Sequence, residues 1–334
     1  MVRVLCGDGR RLPVEYPGDV AIRELIADPS NVVWVDIYDP ENENGAHPEA
    51  LRILRDVFNF HPLAVEDALI ETHAPKVDDW GAYLYIVVHA VHFEHGRDDL
   101  ETHELDVFVG PNYMVTYRTD EIRALERQWR ITQRDTRHTC RGVDYLLYEL
   151  CDAIAGDYLP VIDTMDEAMD KLQDQVFERP DAHLVERIFR LKRAVLELRR
   201  VLSPQREVFN KLARGDFARV IDDRDRVYFR DVYDHFVRLV DLNESLRDVV
   251  SGVLDTYLSV AANRTNNIMK TLTIVSLMFL PLTFITGFFG MNFFGGSIEL
   301  IFDANEWWIF LVGMSVMFGL PAAMLLYIRR RGWW

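Results

Sequence analysis

Small and polar side chains recur at alternating four- and three-residue spacing over residues 255–287, which places them on one face of a helix. The members are Asp255, Ser259, Ala262, Asn266, Met269, Thr273, Ser276, Leu280, Thr283 and Gly287. Small residues let helices pack closely, whereas polar residues in an apolar segment line a water-filled path. Both interpretations are open. The acid Asp255 and the amide Asn266 favour the path, because close packing requires neither side chain.

Two apolar runs near the C-terminus predict transmembrane helices. Residues 271–289 make up 19 positions and residues 307–328 make up 22, and neither run contains a charged side chain. At about 1.5 Å per residue, both are long enough to cross the hydrocarbon core of a bilayer. Pro281 and Pro321 are compatible with this, since neighbouring groups can satisfy the carbonyls that a proline frees.

Basic residues flank the two runs on one side only. Arg264 and Lys270 precede the first run and residues 329–331 follow the second, while the loop 290–306 is acidic and has no Lys or Arg. Positive charge is enriched on the cytoplasmic side of membranes. The sequence therefore predicts a multi-pass protein of the plasma (inner) membrane, with both termini cytoplasmic and the loop outside.

A single long helix is predicted from Asp225 to Phe289, leading into the first run. An apolar seam with four- and three-residue spacing follows it for four heptads. The seam consists of Val232, Phe236, Leu239, Asn243, Leu246, Val250, Val253, Tyr257 and Val260. Such a seam needs a partner, either another helix of this chain or copies of the same helix.

The upstream residues predict a cytoplasmic α/β head, so the fold class is an α+β membrane protein with a long helical stalk. Strands are expected at 32–39 and 83–94 and as a hairpin at 103–118, and helices near 47–59, 62–71 and 120–135. Two long helices are expected at 143–177 and 181–213, with breaks at Arg179-Pro180 and at Ser203-Pro204.

Six regions follow from this organisation. They are a cytoplasmic α/β domain (1–140), a helical hairpin (141–224), a stalk helix running into the first span (225–289), an external loop (290–306), the second span (307–328) and a basic cytoplasmic tail (329–334).

Composition excludes several classes of function. With 37 basic and 53 acidic residues the net charge is −16. This argues against binding to nucleic acid, and it is typical of a protein that binds a cationic partner or has a well-solvated surface. The three cysteines are scattered, so no disulfide framework is expected. We find no enzyme motif and expect no organic cofactor.

His89, His92 and His95 allow a zinc site, but partly exposed strand histidines are favoured.

The segment FFGMNF at 288–293, followed by a short acidic loop, one more span and a basic aromatic tail, resembles the CorA family of magnesium channels. Further matching segments are HPLAVEDAL (61–69), PKVDDW (75–80), DYLLYEL (144–150), YFRDVYDH (228–235), SGVLDTYLS (251–259) and NRTNNIMKTLTIVSLMFLPLTFITG (263–287). Phe289 stands where the family has tyrosine, and FFGGSIEL replaces its usual proline-containing loop.

The resemblance implies a homopentamer in the lipid bilayer, with one stalk helix per subunit lining a pore that imports Mg²⁺, and also Co²⁺ or Ni²⁺. It implies a selectivity filter of Gly290, Met291 and Asn292, with Glu299 capturing cations outside. It further implies an inner pore lined by Asp255 and Asn266, in which Asp255 is a metal ligand.

The resemblance also assigns a constriction and a regulatory site. The constriction consists of Met269, Leu272, Leu280 and Thr283. Asp67 and Asp231 are implied to meet across a subunit interface and to bind regulatory Mg²⁺. A zinc transporter of the same fold is the alternative, and a coiled-coil scaffold anchored by two spans is a second. The polar residues Asp255 and Asn266 argue against the scaffold.

Overall fold

The computed structural model describes residues 1–18, 21–40, 48–69, 74–94, 96–178, 181–291 and 307–331. The chain divides into two compact units, Met1–Tyr257 and Leu258–Trp334.

A seven-stranded mixed sheet forms the centre of the first unit. Its strands are β1 (Val2–Gly7), β2 (Val14–Pro17), β3 (Val32–Tyr38), β4 (Lys76–Asp79), β5 (Leu84–Glu94), β6 (Asp99–Val109) and β7 (Tyr113–Arg118). The spatial order is β2-β1-β3-β7-β6-β5-β4. Only the pairing of β3 with β7 is parallel, and the other five pairings are antiparallel. The predicted strands β3 and β5 and the hairpin β6–β7 are confirmed, whereas β1, β2 and β4 were not predicted.

Short helices belong to the same unit. They are α1 (Ile22–Ala27), α2 (Pro48–Arg52) with a π-helical turn (Ile53–Val57), α3 (Pro62–Leu69) and α4 (Arg123–Arg134), and a 3₁₀ turn (Thr136–His138) follows α4. Phe60, just before α3, is buried and its ring stacks on that of Phe108 in β6 with centroids 4.3 Å apart. Trp129 of α4 packs on Trp34 of β3, with the ring centroids 4.7 Å apart. Helices α3 and α4 are therefore anchored to the sheet by buried aromatic contacts.

Two long helices follow the sheet, α5 (Val143–Glu178) and α6 (Ala182–Arg214). The predicted break at Ser203-Pro204 is wrong, because α6 continues through Pro204. Proline removes one helical hydrogen bond and crowds the preceding turn. Here Leu202, two residues before the proline, and Gln205, directly after it, are fully buried, and this packing holds the helix together across the proline.

Helix α7 (Arg226–Gly290) confirms the predicted long helix, and its seam is buried within the first unit. The seven seam residues from Val232 to Val253 are each at most 4% exposed. The Phe236 ring lies 4.9 Å from Phe209 of α6 and 5.4 Å from Tyr158 of α5. Over this stretch the partner of the seam is therefore another part of the same chain.

The second unit contains the remainder of α7 and helix α8 (Trp307–Arg330). Each of these helices includes a stretch that is long and apolar enough to cross a membrane. The apolar side chains of these stretches are largely exposed; Phe284, for example, is 70% exposed. Exposed apolar surface on this scale suits a lipid environment.

His89 of β5 is buried, with 4% of its surface exposed, so the expectation of partly exposed strand histidines is wrong at this position. Strand β4 pairs with β5 only as far as Val87. At His89, side chains take over the role of a strand partner: the backbone N–H donates to Gln205 Oε1 at 2.8 Å, and the carbonyl accepts from the Tyr158 hydroxyl at 2.7 Å. The helices α5 and α6 thus close the open edge of β5 and cover the imidazole.

The other two histidines have different outcomes. His92 is partly exposed, as expected, and His95 lies outside the described residues.

At His89, burial and to a smaller degree the nearby His103 lower the pKa of the imidazole to about 4. Within the described part of the chain, its Nδ1 atom is buried without a hydrogen-bond partner.

Acidification from pH 7 to pH 4 is expected to lower the free energy of unfolding by about 3 kcal/mol through His89. The folded pKa is lower than that of the unfolded chain, so this stability is complete above about pH 6.5 and is lost as the pH falls towards 4. In denaturant unfolding of the purified protein, His89→Gln should flatten this pH dependence, because glutamine never ionises. The matched variant His92→Gln should retain it. The same pH dependence in all three proteins would contradict the prediction.

Candidate metal centre and polar helix face

The polar stripe predicted on α7 is exposed throughout in the single chain. All ten of its side chains, from Asp255 to Gly287, are exposed, as is the constriction residue Leu272. The hydroxyls of Thr273 and Thr283 donate to the carbonyls of Met269 and Phe279 at 2.8 and 2.9 Å. This back-bonding uses the hydroxyl hydrogen and leaves the lone pairs of the oxygen able to accept hydrogen bonds. The stripe therefore presents acceptor oxygens on a helix face that the described chain does not cover.

The residues expected to select the ion follow directly at the end of α7. Gly290 is the last residue of the helix, and the Met291 N–H donates to the Gly287 carbonyl at 3.1 Å. The Met291 side chain is 52% exposed. Asn292 and Glu299 lie outside the described residues, so their roles remain predictions.

Asp67, the first of the two expected regulatory carboxylates, lies in α3 and forms an ion pair. Its Oδ2 atom accepts a hydrogen bond from Nζ of Lys76, the first residue of β4. The side chain of Asp67 is 36% exposed and that of Lys76 is 29% exposed. A metal ion can therefore reach Asp67 from solvent, but it meets a carboxylate that already holds a cation.

Asp231, the second carboxylate, belongs to a three-residue cluster. Asp152 of α5, Asp231 and His235 of α7 each offer one ligand atom, and these atoms lie within 4.8 Å of one another. His235 Nδ1 is 3.7 Å from Asp152 Oδ1. Burial raises the pKa of the Asp152 carboxyl; the positive charge of His235 opposes this rise and the negative charge of Asp231 adds to it.

This arrangement suits a divalent cation. Two carboxylates that face each other repel, and a cation between them removes the repulsion. Carboxylate oxygens suit Mg²⁺, while an imidazole nitrogen suits transition metals such as Co²⁺, Ni²⁺ or Zn²⁺. Mg²⁺ keeps several of its waters, so one or two carboxylates are sufficient to hold it.

Sequence reasoning did not find Asp152 and His235. Asp152 is 79 residues before Asp231, and such a long-range contact leaves no trace in residue spacing. His235 does leave one, since the i, i+4 pair Asp231 and His235 shares a face of α7.

Comparison with known proteins shows which family has this sequence and architecture. Residues 29–330 match the family described as CorA-like Mg²⁺ transporter protein. Over 313 residues the chain is 34% identical to the cobalt/magnesium transport protein CorA of Thermotoga maritima, which covers 92% of this chain and 84% of that relative. A more distant relative is the zinc transport protein ZntB of Photorhabdus laumondii, which is 23% identical over 98% of this chain and 93% of its own length.

The fold is also that of a solved structure. The complete structure of the CorA magnesium transporter from Methanocaldococcus jannaschii aligns with a TM-score of 0.82, covering 99% of this chain and 98% of that one at 24% identity. The family match and the 34% identical relative show a divalent cation transporter of the CorA type, not an enzyme. The chain belongs to the CorA-like Mg²⁺ transporter family.

Proposed function

We propose that this protein is a channel-type transporter that imports Mg²⁺, and also Co²⁺ and Ni²⁺, across the plasma membrane as a homopentamer. The observation that carries the proposal is the exposed stripe of acceptor groups along α7. Five copies of α7 around an axis would turn these stripes towards one another and form a water-filled pore. Asp255 and Asn266 would then line its inner part, and Met269, Leu272, Leu280 and Thr283 its constriction.

The outer end of the pore would select the hydrated ion. Mg²⁺ is small and loses its water reluctantly, so stripping it would impose a large barrier. In the proposed filter, Asn292 amide oxygens and the Gly290 carbonyls form a neutral ring that accepts hydrogen bonds from the ion's water shell. Glycine at a helix end lets the backbone turn so that its carbonyl faces the axis. Glu299 in the external loop would concentrate cations near this ring.

Zinc transport is the second candidate function. The relative that is named a zinc transport protein covers nearly the whole chain, and the imidazole of His235 suits Zn²⁺. The identity to the cobalt/magnesium relative is higher, 34% against 23%, which favours Mg²⁺. A scaffold function has no comparable support, because an anchor makes no use of Asp255 or Asn266.

Flux into liposomes that contain the purified protein tests the transported ion. We expect Mg²⁺ to enter faster than Zn²⁺ and to respond to an imposed membrane potential. Asn292→Ala should abolish the flux without dissociating the oligomer, because the amide contacts the water of the ion. Asn292→Asp should bind cations but conduct slowly, since a ring of charges retains a divalent ion. Asn267→Ala, which removes an α7 amide outside the stripe, should conduct like the parent. Parent-like flux in Asn292→Ala would overturn the filter.

The proposed topology has cytoplasmic N- and C-termini and residues 290–306 outside, as the charge asymmetry predicts. In a variant without its three native cysteines, a cysteine introduced at Ser297 should react with a membrane-impermeant maleimide added to intact cells. A cysteine in place of the exposed Asp216 should react only after lysis. The reverse labelling pattern would refute this topology.

We further propose that cytoplasmic Mg²⁺ closes the channel by binding between Asp67 of one subunit and Asp231 of its neighbour. Like charges about 4 Å apart repel by about 4 kcal/mol at an effective dielectric of about 20. A bound ion reverses this and stabilises the closed ring by about 2.7 kcal/mol per site at a hundredfold excess over Kd. Five such sites are sufficient to shift a two-state gate, for which about 5.5 kcal/mol moves the ratio from 1:99 to 99:1.

The double variant Asp67→Asn with Asp231→Asn tests the regulatory site. Mg²⁺ should raise the melting temperature and protease resistance of the parent, and both effects should be lost in the double variant because each ligand keeps its shape but loses its charge. Internal Mg²⁺ should also inhibit the flux of the double variant less. Unchanged Mg²⁺ responses would place the sensor elsewhere.

A further inference from the structure

Lys76 occupies a position between two carboxylates and an aromatic ring. Nζ contacts Asp67 Oδ2 directly, lies 3.3 Å from Asp78 Oδ2, and is 5.1 Å from the centre of the Tyr85 ring. The register of β4 with β5 pairs Lys76 with Val87 and Asp78 with Tyr85. Since side chains two residues apart share one face of a strand, Lys76, Asp78 and Tyr85 lie on the same face of the sheet.

On the inner side of this face, the acidic side chain Asp106 is hydrogen-bonded to Tyr85. The Tyr85 hydroxyl donates to Asp106 Oδ1 at 2.6 Å, and Asp106 is 3% exposed. Burial, helped by the charge of Glu104, raises the pKa of the Asp106 carboxyl, which favours its neutral form. The carboxylates in ion-pair contact with the Lys76 ammonium are those of Asp67 and Asp78.

The ammonium itself stays charged at neutral pH. Burial lowers the pKa of Lys76, but the hydrogen bond to Asp67 and the negative charge of Asp78 outweigh burial and raise it overall. A divalent ion that approaches Asp67 thus meets a positive charge at contact distance, and the two cations repel.

We infer that Lys76 is a built-in competitor of the regulatory cation: its ammonium occupies Asp67 when the ion is absent and moves to Asp78 when the ion binds. This inference rests on the proposed role of Asp67 in sensing Mg²⁺. The second acceptor is what makes the exchange feasible, because Asp78 Oδ2 is already 3.3 Å from Nζ and keeps the displaced ammonium paired. Both Lys76 and Asp67 are partly exposed, so the exchange buries no charge.

The consequence is that Lys76 lowers the affinity of the sensor for Mg²⁺. A carboxylate without a neighbouring cation would bind Mg²⁺ at lower concentration and close the channel earlier. Lys76 raises the concentration at which Asp67 is occupied, and it thereby sets the internal Mg²⁺ level at which import stops.

The test is a Mg²⁺ titration of the full-length oligomer in detergent, followed by melting temperature and by resistance to a protease. Lys76→Gln removes the charge and should lower the Mg²⁺ concentration at half-maximal protection about tenfold. Lys76→Arg keeps the charge and should leave the midpoint at or above that of the parent. The control Lys171→Gln removes an exposed lysine that is ion-paired with Glu167, and it should leave the midpoint unchanged.

The outcomes separate this inference from the function on which it rests. A lowered midpoint in Lys76→Gln alone supports it, even if the melting temperature without Mg²⁺ also changes. Equal midpoints for the parent, Lys76→Gln and Lys171→Gln overturn it and show a static ion pair, while loss of protection in Asp67→Asn would still uphold the sensor. If Asp67→Asn keeps the midpoint of the parent, the sensor assignment fails and the role of Lys76 fails with it.

Discussion

The burial of one face of α7 against α5 and α6 is the constraint on which the functional surfaces depend. Phe236 is fully buried between Phe209 and Tyr158, and removing such a side chain typically costs about 3–5 kcal/mol. The seam residue Val253 and the stripe residue Asp255 are two positions apart, which corresponds to about 200° around a helix. Fixing the seam inward therefore turns Asp255, the first residue of the stripe, outward.

The same packing positions the candidate metal centre. Asp152 comes from α5, whereas Asp231 and His235 come from α7 next to the first seam residues. The three ligand atoms are close only because the apolar contact between α5 and α7 holds these helices side by side. Repulsion between the two carboxylates acts against this contact, and a bound cation would remove that opposition. An ion bound here would therefore be coupled to the packing of α5 against α7.

Patterns with a clear period could be predicted from the sequence, whereas features created by long-range contacts could not. The α7 seam and the strands β5 to β7 have regular apolar spacing, and all were predicted. Strand β4 has the sequence KVDD, with a single apolar residue, and it gives no alternating pattern. The continuity of α6 through Pro204 and the burial of His89 both depend on Gln205 meeting β5, a contact between residues 116 positions apart.

The two proposed sites on α7 make opposite use of oxygen chemistry. An ion that is to be sensed must be held, and anionic carboxylates such as Asp231 hold a divalent cation well. An ion that is to pass must be released, and neutral hydroxyls, carbonyls and amides bind its water shell without retaining it. The stripe from Asp255 to Gly287 is consistent with this division, because Asp255 at its beginning is its only acid. Beyond Asp255 the residues of the stripe are neutral, so the proposed path would offer no further carboxylate to retain the ion.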